Sequence, residues 1–344
     1  MRCKFLFFLL FPLVVLPAPI NTLWKLDLSA RGGSSNGKEL LLWGNGVVYK
    51  IDRKGKIIWK RFFKNLERAF LLPDGQALVI AKQGNRSKLA LLNQKGIQFW
   101  QFSIEKVKSI AARGKKIAVI ANDSVLYILT LRDSPSRLRG WRRYDFHKKI
   151  SGVSILIDGR ISLIMPDSLC IFQEGKQPLF YLFPDIKTVS PLTDGGFVSL
   201  TAHSDQLLLS RHIASGYVLW NKEFKGNACS FISSFPFFCL AVEEKVGGNM
   251  KERKLFILNQ RGDVVWKRGG LLLKPIPLLL TPRGELLCRS AEGNKLLLFN
   301  HKGRFIWEKN CGGKIMGSLT LDPATVLLFY GDKVELVEVR LNER

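Results

Sequence analysis

The sequence predicts an all-β fold, an eight-bladed β-propeller built from four-stranded antiparallel blades. A phrase consisting of an apolar strand, a short basic turn with glycine, two apolar residues and tryptophan recurs along the chain, as in LFILNQRGDVVWKRG and LLLFNHKGRFIWEKN. The apolar runs are short and end at Gly, Pro, Asp or Asn, which is typical of strands and not of helices. A period of about forty residues with such strands is typical of propeller blades.

The repeated phrase places one aromatic residue at the same point of each unit. Consecutive aromatics are separated by 35, 41, 41, 39, 40, 46 and 41 residues. We expect each of these side chains to pack between adjacent blades, where a large apolar ring buries the most surface. The repeat aromatics are Trp24, Trp59, Trp100, Trp141, Phe180, Trp220, Trp266 and Trp307.

The four strands of a blade, A to D in chain order, are clearest in the second unit. RAFLLP is strand A, QALVIA is strand B, KLALLN is strand C and IQFWQFS is strand D. The A–B turn contains Pro73-Asp74-Gly75, and the C–D turn contains Gln94-Lys95-Gly96. In both turns glycine supplies the positive φ that a tight hairpin requires.

The two ends of the chain are predicted to share one blade. TLWKLDL around Trp24 has the pattern of a D strand without preceding A, B and C strands, whereas KVELVEV near the C terminus is a C strand without a following D strand. Pairing the two closes the ring and removes an exposed sheet edge. This gives eight blades and one domain over residues 20–344. A count of seven blades remains an alternative, because the sequence pattern of the first A strand is weak.

Residues 1–19 have the layout of a secretory signal or a membrane anchor. Arg2 and Lys4 precede an apolar run from Phe5 to Val15, and small residues follow it. The run is shorter than the roughly 20 apolar residues of a membrane-spanning helix. Cys3 precedes the run, so no cysteine is placed for lipid acylation. We expect export to the periplasm or cell envelope, with either cleavage or tethering by this segment.

Export to an oxidising compartment makes cross-linked cysteines an option. Cys229 and Cys239 flank a predicted hairpin, ACSFISSFPFFCLA, and could face each other across it. The register of the turn decides whether they form a disulfide or remain two buried thiols.

The chain is strongly basic: 53 Lys and Arg against 28 Asp and Glu give a net charge of +25. Such an excess predicts attraction to anionic surfaces. Because all C–D turns of a propeller emerge on one face, their cations should form a basic ring there. The alternative explanation is that lysine in these turns keeps the protein soluble and prevents its strand edges from pairing with other chains. The basic ring comprises Lys54, Lys56, Lys95, Arg132, Arg137, Lys176, Arg261, Lys302 and Arg304.

The segment RHIASGYVLW, Arg211 to Trp220, resembles the repeat of quinoprotein-type (PQQ-like) propellers, and shorter forms recur at Trp59, Trp100, Trp266 and Trp307. The resemblance covers essentially all of the chain after the signal and implies a propeller whose tryptophans pack between blades. Eight blades, export and modest size are also similar to the propeller scaffold subunits of the outer-membrane β-barrel assembly machinery. That likeness implies a non-enzymatic scaffold for protein–protein interactions in the cell envelope.

No catalytic, cofactor or metal site is expected. The resemblance also includes enzymes, the pyrroloquinoline-quinone dehydrogenases. These enzymes hold their cofactor with adjacent cysteines and a calcium site, and neither pattern occurs in this sequence. GGSSNGKE nearly spells a phosphate-binding loop, but Glu39 replaces the magnesium-binding hydroxyl and a strand follows, so it is interpreted as a flexible loop. The four histidines are scattered.

Three functions remain open from the sequence. The first is an exported, monomeric scaffold that binds envelope proteins, without nucleic acid as a partner. The second is a propeller whose basic ring binds an anionic polymer or lipid headgroups. The third, a lesser alternative, is a quinone-dependent dehydrogenase.

Overall fold

The computed structural model describes residues 20–131, 141–182, 185–246, 251–270 and 274–340. These residues form strands joined by turns and loops, and no helix among them is long and apolar enough to cross a membrane. The strands are β1 (Ile20–Leu26), β2 (Gly32–Ser35), β3 (Glu39–Gly44), β4 (Val47–Asp52), β5 (Ile57–Phe62), β6 (Leu66–Leu71), β7 (Ala77–Gln83), β8 (Arg86–Leu92), β9 (Gln98–Glu105), β10 (Val107–Arg113), β11 (Lys116–Ala121), β12 (Val125–Thr130), β13 (Trp141–Asp145), β14 (Gly152–Ile155), β15 (Ile161–Ile164), β16 (Ser168–Phe172), β17 (Leu179–Leu182), β18 (Ile186–Pro191), β19 (Phe197–His203), β20 (Gln206–His212), β21 (Val218–Lys225), β22 (Asn227–Ser234), β23 (Phe237–Lys245), β24 (Lys251–Leu258), β25 (Val264–Arg268), β26 (Ile276–Leu280), β27 (Leu286–Arg289), β28 (Lys295–Phe299), β29 (Phe305–Asn310), β30 (Gly317–Asp322), β31 (Thr325–Phe329) and β32 (Val334–Val339).

The strands form eight four-stranded antiparallel sheets, which confirms the eight-bladed propeller over the seven-bladed option. Blades 1 to 7 each use four consecutive strands, from β2–β5 in blade 1 to β26–β29 in blade 7. Blade 8 has the order β30-β31-β32-β1, so the N-terminal strand is its outermost member. The predicted closure of the ring by the strand around Trp24 is therefore confirmed.

A buried carboxylate holds the closing strand in place. β1 pairs with β32 from Ile20 opposite Val339 to Leu26 opposite Val334. Glu335 of β32 is 5% exposed and accepts hydrogen bonds from the hydroxyl groups of Thr22 and Tyr330. Its Oε1 also lies 3.6 Å from Nζ of Lys309 in blade 7. Glu335 thus joins the N-terminal strand, the C-terminal blade and the preceding blade.

The hydrophobic core consists of separate clusters between blades. Each of eight buried clusters joins one pair of neighbouring blades. The cluster between blades 8 and 1 packs Leu327 and Leu336 with Leu42 and Ile51. Since burial of apolar surface dominates folding stability, every blade is held by both of its neighbours and the ring is closed energetically as well as topologically.

The interpretation of GGSSNGKE as a flexible loop is wrong for its first half. Gly32–Ser35 form β2, the innermost strand of blade 1. A Cβ on Gly32 would lie 2.5 Å from the ring of Trp43, so this strand needs residues without bulk. Glu39 begins β3, and its carboxylate lies 2.8 Å from Nζ of the buried Lys50.

The structure also contradicts the Cys229–Cys239 disulfide. The expected hairpin forms from β22 and β23, but its tight turn at Phe235-Pro236 places Ile232, not Cys229, opposite Cys239. The Cys239 thiol is free and buried against blade 7, in the cluster that also contains Cys288. Burial raises the pKa of both thiols above the ordinary value.

Candidate functional site

The alternating direction of the strands gives the disc two different faces. A–B and C–D turns lie on one side, called here the turn face, and B–C turns and D–A connections lie on the other, the loop face. The ion pair between Arg53 in the C–D turn of blade 1 and Asp322 at the A–B turn of blade 8 shows these turns side by side. The net charge and the polarity of each face therefore depend on the residues in the turns on that side.

Short polar side chains organise the C–D turns. Oδ1 of Asn300 accepts the backbone N–H groups of Lys302 (3.0 Å) and Arg304 (2.9 Å). Asp52, Asn93 and Asn259 make the equivalent pair of bonds in their own turns. The side chain of the first residue accepts the hydrogen bonds of the turn's backbone N–H groups, and the lysine and arginine side chains extend into solvent.

The structure places seven of the nine predicted basic-ring residues, and all seven are exposed on the turn face: Lys54, Lys56, Lys95, Lys176, Arg261, Lys302 and Arg304. Among the described residues none of the seven forms an ion pair with an acidic side chain. Arg132 and Arg137 lie outside the described residues.

Four of the repeat tryptophans pack against the glycine in the C–D turn of the next blade. Trp24, Trp59, Trp220 and Trp266 face Gly55, Gly96, Gly262 and Gly303, where an added Cβ would lie 2.7 to 3.1 Å from the indole ring. Three indole N–H groups donate to the same turns, at 2.8 to 2.9 Å from the backbone oxygens of Arg53, Gln94 and Gln260. Trp266 Nε1, in contrast, is buried without a partner among the described residues.

A β-bulge directs these tryptophans inward. In β5, Trp59 pairs with Lys50 and Ile57 with Ile51, so Ile58 is an extra residue. The outer strands carrying Trp24, Trp100, Trp220, Trp266 and Trp307 have the same one-residue shift immediately before tryptophan. Because side chains alternate along a strand, the extra residue leaves two consecutive side chains outward and turns the tryptophan toward the neighbouring blade.

Blade 4 lacks this bulge, and the predicted aromatics of blades 3 and 4 are placed differently. Phe180 pairs in plain register with Cys170 and is 52% exposed, whereas its neighbour Tyr181 reaches Gly216 and Ser215 of blade 5. The assignment of Phe180 as the docking residue is wrong by one position. Trp141 is 42% exposed and packs on Phe102 of the preceding blade, with ring centroids 4.8 Å apart.

The two remaining repeat aromatics are partly buried. Trp100 packs into the cluster between blades 2 and 3 and stacks on Phe102. Trp307 packs into the cluster between blades 7 and 8. The C–D turn of blade 3 lies outside the described residues. In blade 8 the C and D strands are β32 and β1, from the two ends of the described chain, so no C–D turn joins them beside Trp307.

An apolar girdle, which was not predicted from the sequence, surrounds the outer rim beside the turn face. Every blade exposes at least one large apolar side chain within the first residues of its outer strand or directly before it. The signal was present in the repeated phrase, as the two apolar residues that precede each tryptophan. The girdle comprises Leu23, Ile57, Ile58, Ile97, Trp141, Leu179, Phe180, Val218, Leu219, Val264, Val265, Phe305 and Ile306.

One outer strand differs from the other seven. β17, with sequence LFYL, contains no charged residue, whereas each other outer strand carries at least one Lys, Arg, Glu or Asp. Leu182 at its end is 81% exposed, and Tyr217 of blade 5, whose turn contacts Tyr181, is 75% exposed. β17 forms the edge of its sheet, so its outward backbone groups have no partner strand. This strand is called the charge-free edge.

The axis of the disc contains a cavity of about 510 Å³ lined by the inner strands of blades 1 to 4. Its walls include Ser35, Leu71, Ile155 and Arg113, which end their strands toward the turn face. Arg113 is the charged residue of the lining. Over the described ranges no group of three His, Cys, Asp or Glu side chains is arranged to hold a metal ion.

Comparison with solved structures shows the propeller fold in proteins of different kinds. The chain is similar to BamB from Moraxella catarrhalis, with 13% identity, a TM-score of 0.64 and coverage of 94% of this chain and 99% of that one. The WD40 domain of SCAP from fission yeast matches with 11% identity, a TM-score of 0.66 and coverage of 93% and 98%. Virginiamycin B lyase from Staphylococcus aureus matches with 13% identity, a TM-score of 0.54 and coverage of 93% and 99%.

No protein-family model matches the chain, and no curated protein matches it in sequence. At these identities the structural matches show the fold alone. Function must therefore be argued from the surfaces of this molecule.

Proposed function

We propose that the protein is an exported, non-enzymatic scaffold of the cell envelope that binds other proteins, and that the charge-free edge is its principal binding site. The observation that carries the proposal is β17, an edge strand with three exposed apolar side chains and no charge. The signal or anchor layout of residues 1–19 supports the envelope location.

An unprotected edge is unusual, since soluble proteins normally place lysine or another charge on such strands to prevent pairing with other chains. The outer strand of blade 1, for example, carries Lys60 and Arg61, and that of blade 6 carries Lys267 and Arg268. The partner best suited to β17 is an extended apolar segment of another protein, which would add a strand to blade 4. Main-chain hydrogen bonds would supply affinity, and contacts with Leu182 and Tyr217 would supply selectivity.

The comparisons support the scaffold role at the level of the propeller class. BamB is an outer-membrane assembly propeller, and WD40 domains are propellers of the scaffold type. Virginiamycin B lyase shares the fold and is an enzyme, so the fold does not decide between the two roles. The non-enzymatic and monomeric parts of the proposal are tested below by turnover of small molecules and by self-association.

The test is affinity isolation of partners from envelope extract of the source cells at near-physiological salt. Leu179→Lys with Leu182→Lys should abolish capture of the partner, because it adds charges to the edge and removes apolar contacts. Val264→Lys with Val265→Lys in β25 adds the same charge to an outer strand that already carries cations and should leave capture unchanged.

Three results would overturn the proposal. Equal loss of the partner in both double variants would show that β17 has no special role. Self-association that disappears in the β17 variant would make the occupant a second copy of this chain. Turnover of a small molecule by the purified protein would make it an enzyme.

A further inference from the structure

The basic ring and the apolar girdle follow one another along the chain at each C–D turn. Lys56 directly precedes Ile57 and Ile58, and Arg304 directly precedes Phe305 and Ile306. Since these turns all lie on the turn face, the disc carries cations at the margin of one flat side and apolar side chains on the rim immediately beside them.

The acids of the turn face compensate the charge of the basic ring only in part, because several of them pair with other cations. Asp322 pairs with Arg53, Asp194 with Arg211 and Asp158 with Arg160. Glu174, in the same turn as Lys176, lies 3.7 Å from Lys116 and 3.6 Å from Arg142. The seven described cations of the basic ring therefore remain available to an anionic partner.

The chain also enters the ring on this face. Ile20 pairs with Val339 at the end of β32 where a C–D turn would begin, and Trp24 donates to Arg53 O in the neighbouring turn. Residues 1–19, which lie outside the described residues and contain the apolar run Phe5–Val15, are thus joined to the disc beside Lys54 and Lys56.

From these three observations we infer that the turn face docks on the surface of an anionic lipid bilayer, with the basic ring at the headgroups and the apolar girdle at the boundary with the acyl chains. Cations near an anionic membrane surface are each worth about a fivefold gain in affinity, and exposed apolar side chains add interfacial binding. The inference goes beyond the proposed scaffold role and does not depend on it. The loop face would remain accessible to proteins, whereas Leu179 and Phe180 of β17 would contact either the bilayer or a partner strand.

Vesicle binding by the full chain tests the charge requirement. Neutral phosphatidylcholine vesicles report the apolar contribution of the N-terminal segment and the girdle together, and vesicles with about one-third phosphatidylglycerol add the surface charge. We expect the anionic vesicles to bind the chain at least about 100-fold more tightly at low salt, with the difference shrinking as salt rises.

The ring variant carries Lys54→Glu, Lys56→Glu, Lys95→Glu and Lys302→Glu. The control carries Lys106→Glu, Lys149→Glu, Lys245→Glu and Lys314→Glu, four exposed positions of the loop face with the same change in net charge. The ring variant should lose the preference for anionic vesicles and the control should keep most of it. Equal loss in both would reduce the effect to net charge and overturn the docking face.

A third variant separates a membrane from a soluble polyanion. Ile58→Ser, Val265→Ser and Ile306→Ser remove girdle side chains without changing charge, and should weaken binding to anionic vesicles by about tenfold. Binding to soluble polyglutamate should not change. An unaltered vesicle affinity, together with polyglutamate binding as tight as vesicle binding, would show that the basic ring takes anionic polymers and that the membrane assignment is wrong.

Discussion

At the residue scale, the contact between tryptophan and turn glycine is the unit that is repeated around the ring. Gly96 and Gly175 are both C–D turn glycines with a positive φ, of 76° and 78°, and Gly175 lies one position earlier in its turn than Gly96. A Cβ on Gly96 would lie 2.8 Å from the ring of Trp59, whereas a Cβ on Gly175 meets no atom within 4 Å. The pair therefore separates the cost of a positive φ from the cost of disrupting a contact between blades.

Gly175→Ala should lower the free energy of unfolding by about 1 kcal/mol, the cost of a left-handed conformation for alanine. Gly96→Ala should lose that amount and a further 1 to 3 kcal/mol or so, because the indole must shift in a packed site. Denaturant unfolding of both variants measures the difference. Equal losses would mean that the Trp59 contact contributes nothing to docking of the blades.

Trp266→Ala should cost about 3 to 5 kcal/mol as truncation of a buried aromatic. The indole N–H has no partner among the described residues, so the loss is one of packing. Trp141→Ala, at a residue that is 42% exposed, is the control and should cost less than half as much. A loss below about 1 kcal/mol for Trp266→Ala would contradict its role between blades 6 and 7.

At the element scale, blade 5 contains a buried histidine that couples its strands to its C–D turn. His212 Nε2 lies 2.8 Å from the Ser199 hydroxyl in β19, Nδ1 lies 3.0 Å from Gly216 O, and the ring stacks on Phe197. Burial lowers the pKa of His212 below 6.5, against the opposing hydrogen bond to Gly216. The neutral imidazole is thus the form that the fold favours.

Acidification should weaken this blade. Below about pH 6.5 the unfolded chain takes up a proton at His212 that the folded chain does not, so the free energy of unfolding falls with pH, by at most about 1.4 kcal/mol per unit from this residue. Denaturant unfolding between pH 7.5 and 5.5 measures it. The slope should be smaller in His212→Gln than in the unaltered protein; identical slopes in the two proteins would disprove the assignment.

The strands and turns were predictable because they are local. The alternation in QALVIA and KLALLN, and the glycine that closes the C–D turn between β8 and β9, act within a few residues, and β7 and β8 form there. The position of Phe180 was not predictable, because its orientation depends on whether a bulge precedes it in the pairing with β16. The cysteine pair failed because the register of the β22–β23 hairpin places Ile232, three residues after Cys229, opposite Cys239.

At the scale of the whole molecule, closure of the ring was predictable from two unmatched strands, whereas the surfaces were only partly so. The basic ring follows from turn sequences and topology alone. The apolar girdle was not recognised from the sequence. Apolar residues next to a packed tryptophan are normally expected to be buried, and only the bulge before the tryptophan shows that they face outward. The charge-free edge required knowing that β17 is outermost and that its neighbours carry charges.

Ring closure leads to a prediction at Glu335. Glu335→Ala leaves the buried hydroxyl of Tyr330 and the cations near β1 without their acceptor, and should cost about 1 to 3 kcal/mol. Amide hydrogen exchange in β1 should accelerate more than in β31, because β1 is the closing strand. Glu338→Ala, on the same strand with a more exposed arginine partner, should change stability by less than about 0.5 kcal/mol. Uniform exchange across blade 8 would argue against a separately closing strand.

The central claim is that this ring presents a protein-binding edge on blade 4, and site-specific photo-crosslinking in the source cells tests it most directly. A photoreactive phenylalanine analogue at Leu182 is predicted to capture one defined protein. The same analogue at Ile306, an exposed girdle position on the outer strand of blade 7, should not capture it. Capture of the same protein from both positions, or of none from Leu182, would contradict the account.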